Sequence, residues 1–221
     1  MTTRLWPLAT AVFGALTLLI VVAFGLLPSV RAAHFAQGDF TAALALFQRA
    51  VTPADLNAVF GDPADQGVLD AMTAGNRLDL FGFIPTYTLF LASGAAMLAG
   101  GFKRALVWLA LAPLLVGTAA DIVETSTQLA MTADYANASA HLPVAPWCWS
   151  KYFGLAFGSL GAAAICVLSA RKRFILAALS VLPLPAAIMS YVGAAQVMNL
   201  AFGAAWVGLL VIGTLELFRK P

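Results

Sequence analysis

The sequence predicts an all-α polytopic membrane protein, a six-helix transmembrane bundle with a short helical extracytoplasmic cap. Three observations carry that expectation. Apolar residues make up 62% of the 221 residues and charged residues only 10%, against about half and about a quarter in ordinary soluble domains. The mean hydropathy is +0.90, more than a soluble fold of this length can hide. The apolar residues also gather into six runs, each close to the roughly 20 residues of helix needed to cross a hydrocarbon core of about 30 Å. The same figures exclude a disordered chain and a common soluble enzyme, and a net charge of +2 is too small for a nucleic-acid binder.

The first run extends from Leu5 to Pro28, the second from Asp79 to Gly101 and the third from Ala105 to Glu124. The fourth extends from Trp149 to Ala170, the fifth from Phe174 to Gly193 and the sixth from Gln196 to Phe218. No charge separates Phe174 from Leu215, so length alone places the last turn. The chain reads as one transmembrane domain over residues 1–221, with residues 31–78 as the cap within it. Arg4 ahead of the first run and Val30-Arg31-Ala32 after it are the outline of a secretory signal. The run is longer than the 7–15 apolar residues usual there, which favours an uncleaved anchor.

Basic residues set the orientation, because cytoplasmic loops retain Lys and Arg. Arg4, Lys103, Arg104, Arg171, Lys172, Arg173, Arg219 and Lys220 fall at both ends of the chain and in two alternate loops. With six spans, all eight lie on one side. The expected location is a bacterial inner membrane, crossed several times, with both termini cytoplasmic. Cys148 and Cys166 lie 18 residues apart on one helix, about 27 Å, far beyond disulfide reach.

Residues 31–78 are too long for a turn. Phe40, Ala43, Leu44, Phe47 and Val51 recur at helical spacing behind Asp39 as N-cap. Thr52-Pro53-Ala54-Asp55 is a second helix start, with Leu56, Val59 and Phe60 as its apolar face and Gly61-Asp62-Pro63 as its end. The segment is either a small packed cap or an interfacial helix or lid in contact with lipid. In the fourth run Gly154, Gly158 and Gly161 share a face, as small residues do where membrane helices meet. That face serves packing within the chain or a homo-oligomer. Pro85, Pro113, Pro183 and Pro185 lie inside runs and should kink them.

The informative residues are charges at the ends of apolar helices, where ionisable groups are costly. Asp79, Asp121, Glu124 and Lys151 all reach the extracytoplasmic level in the six-span topology. Asp121 and Glu124 are three apart and share a helix face, Gln128 continues it, and Tyr87 lies two turns below Asp79. One reading is structural: the carboxylates pair with Lys151 and Arg77 and pin helix ends. The other is a site, since such clusters are candidates for acid–base chemistry or ligand binding. In a catalytic version Asp121 or Glu124 is the general base and Lys151 holds an anionic head group. In a binding version Asp79, Tyr87, Asp121, Glu124 and Lys151 engage a membrane lipid or another small amphiphile. A metal version uses Asp79, Asp121 and Glu124 as oxygen ligands.

Absences narrow the field. There is no H-E-x-x-H helix, no G-x-S-x-G elbow and no Walker-type loop, so no cofactor is expected. His34 and His141, the only histidines, lie in outer loops. Ser159 between Gly158 and Gly161 has no histidine at its depth and reads as helix packing.

The order of Phe47, then Asp79, Pro85 and Tyr87, then Asp121-Ile122-Val123-Glu124 resembles uncharacterised small multi-spanning bacterial membrane proteins. Their pattern is an aspartate–aromatic–tyrosine helix followed by an Asp-x-x-Glu-Asn helix. Thr125 stands where the pattern has Asn. The resemblance covers residues 40–155 and implies these site residues, with no known activity attached. Three functions stay open: handling of a membrane-dissolved amphiphile, a lipid-modifying enzyme, and a structural or assembly subunit of a membrane complex.

Overall fold

The computed structural model describes residues 4–102, 104–193 and 197–219, and among these the chain is helical with no β-strand. Lys103 and Lys220, two of the basic residues expected on the cytoplasmic side, and Gln196, the expected start of the sixth span, lie outside the described residues. Among the described residues, six helical segments are long and apolar enough to cross a membrane: Leu5–Ala32, Gln66–Ala99, Ala105–Ala133, Ala145–Leu168, Phe174–Tyr191 and Met198–Leu217. Six such helices are what a multi-pass membrane protein requires, since a lipid-exposed backbone must satisfy its own hydrogen bonds.

The first segment is α1 (Leu5–Phe24) with a short α2 (Pro28–Ala32). Two small helices follow, α3 (Phe40–Gln48) and α4 (Pro53–Phe60). The second segment departs from its expected boundary. α5 (Gln66–Leu78) passes through a π-helical turn at Asp79–Phe83 into α6 (Ile84–Ala99), so Asp79 stands inside a helical segment and does not start one. The third segment, a 3-10 turn at Ala105–Val107 and α7 (Trp108–Ala133), likewise continues beyond Glu124. Both extensions carry polar residues that a hydropathy reading ends on, and apolar packing within the protein holds them helical. A 3-10 stretch (Tyr135–His141) leads to α8 (Ala145–Leu168). The fifth span is broken into α9 (Phe174–Val181) and α10 (Pro183–Tyr191), with Pro183 at the start of the second half, and α11 (Met198–Leu217) is last.

The π turn has a cause in the sequence. Pro85 has no N–H to return to the carbonyl four residues back. The ladder widens just before it, and the Ile84 N–H reaches the Asp79 carbonyl, five residues back. Pro113, by contrast, sits within a continuous α7.

Packing divides the chain into two compact units. The first contains Met1–Thr17, Thr86–Thr118 and Lys151–Pro221. In it α7 and α8 approach closely. A Cβ on Gly154 would lie 2.5 Å from the Gly117 Cα, and one on Gly161 would overlap the Leu109 carbonyl. The glycine face of α8 is thus filled by α7 of the same chain. On α1 the buried residues are Pro7, Thr10, Gly14 and Thr17, while Leu8, Val12, Leu16 and Leu19 are exposed. Thr10 and Thr17 return their hydroxyls to the Trp6 and Phe13 carbonyls at 2.8 Å. Glu216 accepts from Arg171 and, at 3.2 Å, from Arg173, with Arg219 at 3.9 Å. It therefore binds the α8–α9 link to α11. Cys166 is buried in this unit and Cys148 in the other, both as thiols.

The second unit contains Leu18–Pro85 and Ala119–Ser150. It has an apolar core of its own, in which Phe47, Phe60, Met72, Met131 and Val144 are almost fully buried. Phe60 meets Phe47 edge-on at 4.9 Å and Tyr135 at 5.0 Å. Burial, with the Asp62 carboxylate nearby, holds the Tyr135 phenol above its ordinary range. The two small helices form as their sequences require. Asp39 accepts from the Ala42 N–H at 2.8 Å, and Leu56, Val59 and Phe60 are buried. Val51, expected on the apolar face of α3, is exposed because that helix stops at Gln48. α4 opens on a capping box between Thr52 and Asp55 and closes at Gly61, whose φ of +86° suits a residue without a side chain.

The Asp55 carboxylate accepts from the Val51 N–H at 2.9 Å and from the Thr52 N–H and hydroxyl at 2.8 and 2.9 Å. These bonds, the backbone ones first, hold it below its ordinary 3.8. A lowered folded-state pKa adds stability that is complete above the ordinary value and lost as pH falls through the folded one. Thr52→Ala should therefore cost about 1 kcal/mol in thermal unfolding at neutral pH. The cost should shrink below the ordinary pKa, and Asp55→Asn should flatten that pH dependence.

Candidate functional site

The polar residues of interest sit on two elements of the second unit. On α7, Asp121, Glu124, Thr125 and Gln128 are at most 3% exposed, while Ile122 and Val123 on the same turns are 43% and 38% exposed. The helix is inverted relative to a soluble one: its polar stripe faces protein and its apolar side faces outward. Spacings of three and four residues produce that stripe. Gly117, which makes the close contact with α8, stands one turn before Asp121 on the same face.

The π turn supplies the second wall. The Thr125 hydroxyl donates to Asp79 Oδ2 at 3.2 Å, bringing the start of the turn against α7. Within α7 the Gln128 amide donates to Glu124 Oε1, also at 3.2 Å. Asn76, one turn before Asp79 on α5, is 2% exposed, and its Nδ2 has no hydrogen-bond partner among the described residues. Asp79 thus receives a hydroxyl donor from Thr125, and Glu124 an amide donor from Gln128. Pi-helical turns inside α-helices often occur at functional sites, because the extra residue per turn re-aims the side chains that flank it.

The other two expected residues belong to the first unit. Tyr87 is fully buried and stacks on Trp206 with ring centroids 5.6 Å apart. Lys151 is 5% exposed, with its Nζ 4.9 Å from the Tyr152 ring centroid. Trp206 also meets Phe90 and Phe202, edge to face. A cavity of about 30 Å³, room for one water, lies between Trp206, Leu114, Leu209 and Ser159. Neither histidine is in this unit, so Ser159 there has no general base of that kind.

No group of three His, Cys, Asp or Glu side chains suited to a metal ion occurs among the described residues. Asp79, Asp121 and Glu124 do not form such a group. Thr125 is the residue the sequence undervalued. Its position four residues from Asp121 is the signal that places it on the stripe, and the six-residue interval from Asp79 to Pro85 is the signal for the π turn. Compared with known proteins, the chain matches no family, no curated protein and no solved structure.

Thr125→Val keeps the shape and removes the donor to Asp79. Asp79 is half-buried, and losing one hydrogen bond to it costs about 1 kcal/mol, so the variant should melt measurably lower in detergent. Thr125→Ser, which keeps the hydroxyl, should recover most of the loss.

Proposed function

We propose that the protein binds or handles a membrane-dissolved amphiphile, lipid-like in character, through the acidic residues Asp79, Asp121 and Glu124 near the extracytoplasmic face. The observation that supports this reading is the buried acidic stripe of α7 set against the π turn. Carboxylates within apolar helices are costly and are retained where they meet a pathway, a substrate or a partner. A cationic or amine-bearing head group complements them, because its N–H groups donate to carboxylate oxygens. The apolar tail lies against apolar helix surface.

Depth is consistent with a boundary site. Asp79 is 20 residues from Ala99 and Glu124 is 19 from Ala105, about 30 Å of helix in each case, the thickness of a hydrocarbon core. For sidedness, Arg4, Arg104, Arg171, Lys172, Arg173 and Arg219 precede α1, link α6 to α7, link α8 to α9 and follow α11. Six crossings then put them on one face, the cytoplasmic one in an inner membrane, and the acidic stripe on the other. The cap of residues 31–78 belongs to that second side. A reporter fused after Lys220 should be active only in the cytoplasm; activity outside would overturn this sidedness and the site's level together.

A second reading is structural, and the Asp79–Thr125 and Glu124–Gln128 hydrogen bonds favour it. Asp121→Asn and Glu124→Gln separate the two. In native mass spectrometry of the purified protein, a co-purified amphiphile should fall at least tenfold in occupancy in either variant, with melting changed by only a few degrees. Full occupancy in both would sink the binding proposal. Collapse of the fold with no ligand in the wild type would leave the structural role.

A further inference from the structure

The outer end of α1 borders an open cleft of about 530 Å³ that the acidic stripe does not use. Its walls include Val21, Val22 and Phe24 from α1, and Phe35 and Phe40 ahead of and within α3, with Arg31 of α2 on the rim. The volume falls in the range of small-ligand sites, roughly 300–1,000 Å³. The back wall is built, since Phe24 stacks on Phe40 at 6.5 Å and meets Phe83 edge-on at 5.9 Å. The charges on the rim are unequal in what they have left to offer. Asp39 is already engaged as the N-cap of α3, its Oδ1 accepting from the Ala42 N–H. Arg31 is exposed, and its guanidinium makes no hydrogen bond or ion pair among the described residues.

We propose that this cleft holds a membrane phospholipid, one acyl chain lying against Val21, Val22 and Phe24 and the phosphate on Arg31. Depth and charge both select that occupant. The 20 residues of α1 rise about 30 Å, a full hydrocarbon thickness. With Arg4 at one end of α1, its last turn ends at the opposite hydrocarbon boundary, and Arg31 falls among the head groups. Apolar walls on the hydrocarbon side and a planar cationic fork on the water side match a lipid phosphate, which guanidinium groups bind in bidentate fashion. The ligand group has the opposite charge to the one proposed for the acidic stripe, and the two sites share no residue.

The test uses the full chain in a neutral detergent, titrated with phosphatidylglycerol and read by native mass spectrometry. The wild type is expected to retain one lipid. Arg31→Gln should weaken that binding at least tenfold with unchanged melting, and Arg31→Lys should restore part of it. Val22→Trp, at an outward position 61% exposed, should fill the cleft and displace the lipid with Arg31 in place. Arg4→Gln, at the other end of α1, should bind as the wild type does. Asp121→Asn should also retain this lipid even if it loses the ligand of the acidic stripe. Inorganic phosphate alone should not be held, because the chain contributes binding as well as the head group. Wild-type affinity in both Arg31→Gln and Val22→Trp would overturn the proposal. So would an equal loss in Arg4→Gln, or retention of inorganic phosphate as tight as the lipid.

Discussion

Helix length against hydrocarbon thickness is the constraint from which the other features follow. A span needs about 20 residues, yet Gln66–Ala99 has 34 and Ala105–Ala133 has 29. The surplus turns carry residues that lipid would not accept, including Asp70, Asn76, Arg77 and Gln128. They stay helical because they bury Val68, Leu69, Met72 and Met131 against Phe47 and Phe60. Helices long and apolar enough to cross a membrane thus run on into turns that build the second unit's core, which the small helices α3 and α4 complete.

The acidic stripe is a consequence of the same continuity. On one face of α7, a glycine that admits the α8 backbone is followed by Asp121, Glu124 and Gln128. One helix thereby carries a close packing contact in the first unit and a polar stripe in the second. Opposite Thr125 the backbone of the α5–α6 rod is locally widened, because Pro85 withholds one hydrogen bond. The proline that could have broken the helix instead sets the turn on which Asp79 stands.

Much of this is legible in the sequence, for reasons that differ from residue to residue. Apolar run length located all six helices long and apolar enough to cross a membrane, because transfer into lipid depends on composition more than on context. Capping chemistry located α3 and α4, since Asp39, Thr52 and Asp55 act within one turn of themselves. α5 is not legible in the sequence because its polar outer face interrupts the apolar run, and its inner face has meaning only once Phe40 and Phe47 are there to meet it. The expected site residues divide in the same way. Asp121 and Glu124 follow from helical spacing alone, whereas the contact from Thr125 to Asp79 joins residues 46 apart. The neighbours of Tyr87 were equally hidden, because Trp206 lies far along the chain and no local pattern announces a stacked pair.

The inverted surface of α1 bears on how such a protein changes over generations. Its outward Leu8, Val12, Leu16 and Leu19 are exposed, so Ile, Val, Met or Phe can replace any of them at a small repacking cost. The inward Thr10, Gly14 and Thr17 have no such latitude, because a Cβ on Gly14 would press within 2.8 Å of Phe90. Drift would therefore erase the bulky letters first and leave a sparse signature of small residues three and four apart. In a lineage descended from this chain, ancestry would be written in its least hydrophobic positions.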